Sequence, residues 1–253
     1  MGGVLVEHVV PILGAMVGNA MFLSPMKTVL RMRAEGVIGE VNPLPYPVIF
    51  CNCCSWMVYA VMTTDYYLFM ANLPGACFGM WFTLSAYGVA PTKLRFKLEV
   101  IMLLLIIVVS ACGLVVGISV TDAKSARSIQ GIVTVGILVV YYGAPLSTTA
   151  KVIVTRNAAS LHLPMSVMNL VNGLLWTTYG FAMNDHFLWG PNMAGAFLAS
   201  FQLLLITVFG VARRLGWHEP DFRGLKASKS AEAGISTLGD DPGGSITPLG
   251  AQV

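Results

Sequence analysis

Apolar residues run along this chain in seven long blocks separated by short polar segments. The blocks cover roughly Val4 to Met26, Pro45 to Met62, Leu68 to Val89, Leu98 to Val120, Gly131 to Val154, Pro164 to Met183 and Leu188 to Ala212. Each lies near the length of about 20 residues that a helix needs to cross the hydrocarbon core. Barrel strands would be about ten residues long and strictly alternating, and no such pattern occurs. The expected fold is therefore all-α and integral to a membrane, with seven transmembrane helices. The first block is not expected to be a cleaved leader. It has no basic segment before it, it carries Glu7 and Pro11, and it is too long for a leader's apolar region.

Composition agrees with this pattern. Of 253 residues, 56% are apolar and 11% charged, and the mean hydropathy is +0.74. Soluble domains carry about 25% charged residues, so an ordinary soluble enzyme and a disordered regulator are excluded. The net charge of +3 is modest and no basic run could track a phosphate backbone, so no nucleic-acid partner is expected. Lysine and arginine collect in cytoplasmic loops. With the N-terminus outside and the C-terminus inside, 13 of the 15 basic residues fall inside, and only Lys124 and Arg127 fall outside. After Leu215 the chain is rich in Gly, Ser, Asp and Pro, which predicts a disordered cytoplasmic tail with Ser228, Ser230 and Ser236 as phosphorylation candidates.

The second and sixth blocks resemble each other at an offset of 120 residues. That offset joins Trp56 to Trp176, Tyr59 to Tyr179, Asn52 to Asn172, Pro25 to Pro145, Asp65 to Asp185, Asn72 to Asn192 and Gly75 to Gly195. Blocks one to three thus match five to seven, and block four stands alone. Two units of three spans joined directly would face opposite ways; one extra span restores a common direction. The expected organisation is 3+1+3. It comprises a first three-helix repeat (1–92), a linker helix with its flanking loops (93–127), a second repeat (128–214) and the tail (215–253). Repeats of this kind are a transporter architecture, with the substrate site near the midplane at the repeat interface.

Polar side chains inside a membrane face the protein interior. Asn52, Trp56 and Tyr59 share one helical face, and Asn172, Trp176 and Tyr179 repeat it. Together with Asn72 and Asn192 they predict a central cavity with two indole faces and up to four carboxamides. A lone Asn would read as interhelical glue; the duplicated set reads as a site. Carboxamides pair with hydroxyls of either sense, and an indole offers a flat apolar face with an N–H at its edge. That chemistry suits a neutral polyol. No Asp or Glu lies at mid-depth to relay protons, which points to uncoupled transport; His8 is the one exception to consider, and it sits at a helix end.

Pro25 and Pro145, inside spans, and Pro45 and Pro164, at span starts, lie near one level and would let an inner gate flex. Tyr59, Tyr179, Asp65 and Asp185 lie at the opposite level, where Tyr–carboxylate hydrogen bonds would close an outer gate. The five cysteines, at 51, 53, 54, 77 and 112, read as packing, with no disulfide framework and no metal-ligand spacing. No catalytic motif and no cofactor signature is present.

The stretches Phe22–Thr28 (FLSPMKT), Pro45–Pro47 (PYP), Trp56–Tyr59 (WMVY), Tyr142–Ser147 (YGAPLS), Trp176–Gly180 (WTTYG) and Pro191–Gly195 (PNMAG) resemble the SWEET sugar transporters, the nodulin/saliva family. The resemblance covers about residues 5 to 212. It implies a bidirectional, energy-independent sugar uniporter working by alternating access, not an enzyme. It carries over Asn72 and Asn192 as the sugar-binding pair and Trp56 and Trp176 as their flanking pair. Pro25, Pro45 and Pro145 match the inner-gate prolines, with Pro164 the closest fourth member. At the positions where small residues accompany disaccharides in plant members, this chain has the bulky Met21, Asn52, Tyr141 and Asn172, which implies a hexose such as glucose. The implied partners are a mono- or disaccharide, the lipid bilayer and, as the family permits, a homotrimer. The default location is the plasma membrane, with an endomembrane as the alternative. A seven-span receptor would lack the 120-residue repeat, and a proton-coupled symporter would need an intramembrane acid.

Overall fold

The computed structural model describes residues 2–214. The predicted tail and its serines lie outside the described residues. A helical turn, α1 (Gly2–Val4), leads through a π-helical segment (Leu5–Val9) into α2 (Val10–Phe22) and α3 (Met26–Glu35). There follow α4 (Pro45–Thr63), α5 (Tyr66–Val89), α6 (Thr92–Ser119), α7 (Ala123–Thr155), a 3-10 turn (Ala158–Ser160), α8 (Leu163–Ala182) and α9 (His186–Arg214). With α2 and α3 forming one bent span, these are the seven transmembrane helices of an all-α 3+1+3 protein. By length and composition alone, five helices qualify as membrane spans. The two that do not, α5 and α8, are diluted by residues such as Asn72, Thr83, Asn169 and Asn172, which face inward or line the central cavity.

Helix starts follow from their caps. Asp65 accepts the Leu68 amide at 2.9 Å, Asp122 the Ser125 amide at 2.8 Å, and Asp185 the Phe187 amide at 3.0 Å. α4 and α8 instead carry proline in their first turns, where its missing N–H costs nothing. The turns keep the 120-residue register in backbone conformation. Thr64 and Asn184 have φ of 53° and 52°, and Gly36 and Arg156 have φ of 68° and 51°.

One expectation is refined and one corrected. Pro25 lies inside the first span, as expected, and it stands where the helix breaks: α2 stops at Phe22 and α3 begins at Met26. Proline cannot donate to the Met21 carbonyl, which the Ser24 amide takes instead at 3.0 Å. The bent α3 then places Val29 and Met32 in a buried cluster with Tyr46 and Phe82. Its mate Pro145 stays within a continuous α7. The correction concerns Lys124 and Arg127. They were expected in a loop, but the Asp122 cap starts α7 at Ala123, so both lie in its first two turns.

Within the first repeat, α5 packs against both α2 and α4. Between repeats, α2 packs on α8 and α4 on α7, a reciprocal pair of contacts under exchange of the halves. The linker α6 leans on α4, α5 and α7. Its remaining surface, with Leu103, Leu104, Ile107, Leu114 and Ile118 exposed, suits acyl chains. The bundle has two ends. Residues 5–9, 63–66, 120–123 and 183–186 lie at the N-terminal end; α3 and the turns at 90–92 and 156–162 lie at the other, the α3 end.

Candidate functional site

A cavity of about 390 Å³ lies between the repeats, within the range of about 300–1,000 Å³ typical of small-molecule sites. Trp56 and Trp176 line it, each nearly buried. Each indole meets the tyrosine one turn on edge-to-face, Trp56–Tyr59 at 5.8 Å and Trp176–Tyr179 at 5.9 Å. A methyl at Gly14 would stand 3.0 Å from the Trp176 indole nitrogen, so glycine lets α2 approach that ring.

Asn72 and Asn192 donate from Nδ2 to the carbonyls of Leu68 and Leu188, both at 2.8 Å. These bonds to the preceding turn fix both carboxamides at the cavity wall. Asn52 and Asn172, one turn before the tryptophans, each have a buried Oδ1 with no hydrogen-bond partner. Buried acceptors are nearly always satisfied, so this symmetric pair is poised for donors from within the cavity. Met21 and Tyr141 also line the wall, as do Asn169 and Gln202. The cavity therefore holds five asparagines and a glutamine, against the four carboxamides expected. No ionised side chain lines it among the described residues.

Toward the N-terminal end the repeats are latched crosswise. The Tyr59 hydroxyl donates to Asp185, 2.9 Å from both carboxylate oxygens, and the Tyr179 hydroxyl donates to Asp65 at 3.1 Å. Each aspartate also caps a helix of its own repeat. Burial pushes the Asp65 carboxyl above its usual range, while the Leu68 amide and the Tyr179 hydroxyl pull it back. The latches differ in their third member. Arg127 forms an ion pair with Asp185 at 2.7 Å and donates from Nε to the Tyr59 oxygen at 3.1 Å. The other side has no cation on Asp65 among the described residues; there His8 meets the Tyr67 hydroxyl at 2.7 Å, and the Tyr67 ring stands edge-on to Tyr179. Just below, Ser55 and Thr134 hydrogen-bond at 2.8 Å beside the buried Gln130, tying α4 to α7.

The α3 end is different. The cavity reaches Pro25, Pro45 and Pro145, but Pro164 is exposed and does not line it. Among the described residues, every side-chain hydrogen bond joining the two repeats lies on the N-terminal side of the cavity's centre.

Sequence reasoning missed Arg127, Gln130, Asn169 and Gln202. Asn169 was findable, because it precedes Asn172 by three and Trp176 by seven residues, on the same helical face. The other three stand opposite unlike residues in the first repeat, so the offset gave no signal for them.

A family profile described as "Sugar efflux transporter for intercellular exchange" matches twice, over residues 8–94 and 128–214. The bidirectional sugar transporter SWEET11 of Arabidopsis thaliana is 30% identical over 232 residues, covering 90% of this chain and 78% of that protein. The sugar transporter SWEET1 of Dictyostelium discoideum is 24% identical over 192 residues, covering 75% and 87%. A solved eukaryotic SWEET transporter structure superposes with a TM-score of 0.73 at 20% identity, over 82% of this chain and 99% of that one, and so shares the fold. With both repeats matched and the fold in common, this chain belongs to the SWEET family of sugar transporters, membrane carriers rather than enzymes.

Proposed function

We propose that this protein is a bidirectional, energy-independent uniporter for a hexose such as glucose, working by alternating access. The observation that carries the reading is the pair of unpartnered Asn52 and Asn172 carbonyls beside two indoles in an uncharged cavity. Sugar hydroxyls supply the missing donors, and the pyranose C–H face stacks on Trp56 or Trp176. Asn72 and Asn192 hold the sugar from either repeat. Bulky Met21 and Tyr141 narrow the site toward one ring. The relatives' names, as sugar transporters, support the substrate class.

In this reading the N-terminal end faces outside and the Tyr59, Tyr179, Asp65 and Asp185 latch is the outer gate, here closed. The prolines Pro25, Pro45 and Pro145 serve the inner gate, with Pro164 at its edge, in a plasma-membrane protein. Residues 1–92 and 128–214 rock about the linker 93–127. The test is flux of radiolabelled glucose and sucrose into liposomes at two pH values. Glucose flux should follow its gradient, exceed sucrose flux and be unchanged by pH. Acceleration by a proton gradient would make the protein a symporter; sucrose faster than glucose would sink the hexose assignment; no flux of either would return the seven-span receptor.

A further inference from the structure

Carboxamides descend the second-repeat wall of the cavity as a ladder. Asn192 is followed by Asn172, then by Asn169 one turn nearer the α3 end, then by Gln202 beside the start of α8. Asn169 hydrogen-bonds to no described residue, so both ends of its amide are available. Gln202 is nearly buried and held on two sides. Its Nε2 donates to Thr149 Oγ1 at 2.9 Å, and its Oε1 accepts from Ser166 Oγ at 3.4 Å. That leaves one Nε2 hydrogen for the cavity.

The first-repeat wall has no such lower rungs. At the same offset Asn72 and Asn52 answer the upper two, but Asn169 is answered by Ile49, and Gln202 by Phe82. Thr149 and Ser166 are answered by Val29 and Tyr46, which join Phe82 in an apolar cluster. The polar trio of Gln202, Thr149 and Ser166 thus replaces an apolar trio in the other half.

We infer that Asn169 and Gln202 form a second sugar subsite, between the central Asn ring and the α3 end, whose hydrogen-bonding groups come from the second repeat alone. A neutral monosaccharide rests there by hydroxyl–carboxamide hydrogen bonds, with Ile49 against its apolar side. This inference rests on the proposed transport of sugar. Its consequence is sidedness: sugar arriving from the α3 end meets a hydrogen-bonding site that sugar arriving from the N-terminal end does not.

The test uses full-length protein reconstituted in one orientation, with radiolabelled glucose presented from either face. Asn169→Ile, which copies the first-repeat residue, should raise KM from the α3 face about two- to tenfold, the worth of one neutral hydrogen bond. KM from the N-terminal face should stay the same. A passive carrier must keep Vmax/KM equal in both directions, so Vmax from the α3 face should rise in step. A merely structural role would lower Vmax without moving one KM alone. Ile49→Asn should lower KM from the α3 face. Equal KM shifts on both faces, or none in either variant while the parent protein carries glucose, would overturn the subsite and leave the uniporter standing. Absence of glucose flux in the parent would overturn both.

Discussion

At the N-terminal end the first repeat donates Tyr59 to Asp185 and the second donates Tyr179 to Asp65, yet among the described residues only Asp185 also holds an arginine. At the α3 end the second repeat offers Thr149, Ser166 and Gln202 where the first packs Val29, Tyr46 and Phe82. The first span breaks its helix at Pro25; at the mate position Pro145 the helix α7 runs on unbroken. The backbone plan, the turns, the central ring and the Tyr–Asp pairs are thus duplicated, while what surrounds them at the two ends is not. On the proposed function, the difference teaches that symmetry is kept where both halves would touch one ligand, and relaxed where each gate would sit.

The comparison can be broken most severely at the centre. Asn192→Ala should bring glucose flux to background in a protein that still elutes as a folded species, and Asn72→Ala should do the same. Near-normal flux in either variant would remove that half from the site. Next comes the contact between the second and third helices of each repeat. A methyl at Gly180 would stand 2.6 Å from the Trp189 backbone nitrogen, whereas the mate position already carries the buried methyl of Ala60. Gly180→Ala should therefore cost about 1–3 kcal/mol, and Ala60→Gly only roughly 0.5–1 kcal/mol. Equal losses in thermal unfolding would show that the two contacts are equally close.

The unequal latches give a smaller effect. Hydrogen–deuterium exchange should be slower around residues 183–188 than around 63–68, because Arg127 braces Asp185. Arg127→Gln should erase that difference without altering the 63–68 segment; an unchanged profile would deny the arginine its role. The smallest effect is expected at the two left-handed helix ends. Arg156 adopts a conformation that suits glycine, as Gly36 does at its mate position. Arg156→Gly should stabilise by about 1 kcal/mol and Gly36→Ala destabilise by a similar amount, read as opposite shifts in Tm.

The sequence made the repeat legible because Trp, Tyr, Asn and Asp recur at one offset, and those same residues frame the cavity and the latch. Hydropathy located all seven spans but placed the start of α7 eight residues late, since a segment such as Lys124–Ser128 is polar and its helicity depends on the Asp122 cap. Arg127 was hidden for the same reason, and because the offset pairs it with Glu7. Gln202 was hidden because its partners, Thr149 and Ser166, come from two other helices and only packing brings them together. The helix break at Pro25 was not separable from the unbroken helix at Pro145 by local sequence, since both are proline near the same depth.

Asp65 and Asp185 serve two masters: each caps the helix of its own repeat and receives a tyrosine from the other. When the halves part, neither carboxylate is stranded. The amides at the helix start and the positive pole of the helix remain with it in either state. Under the proposed alternating access, parting gives up the Tyr179 bond to Asp65 on one side and the Tyr59 bonds to Asp185 and Arg127 on the other, rather than exposing an orphaned charge. Such a seal can yield to thermal motion and re-form without an external energy source, which is the condition for a carrier that runs in whichever direction the gradient points.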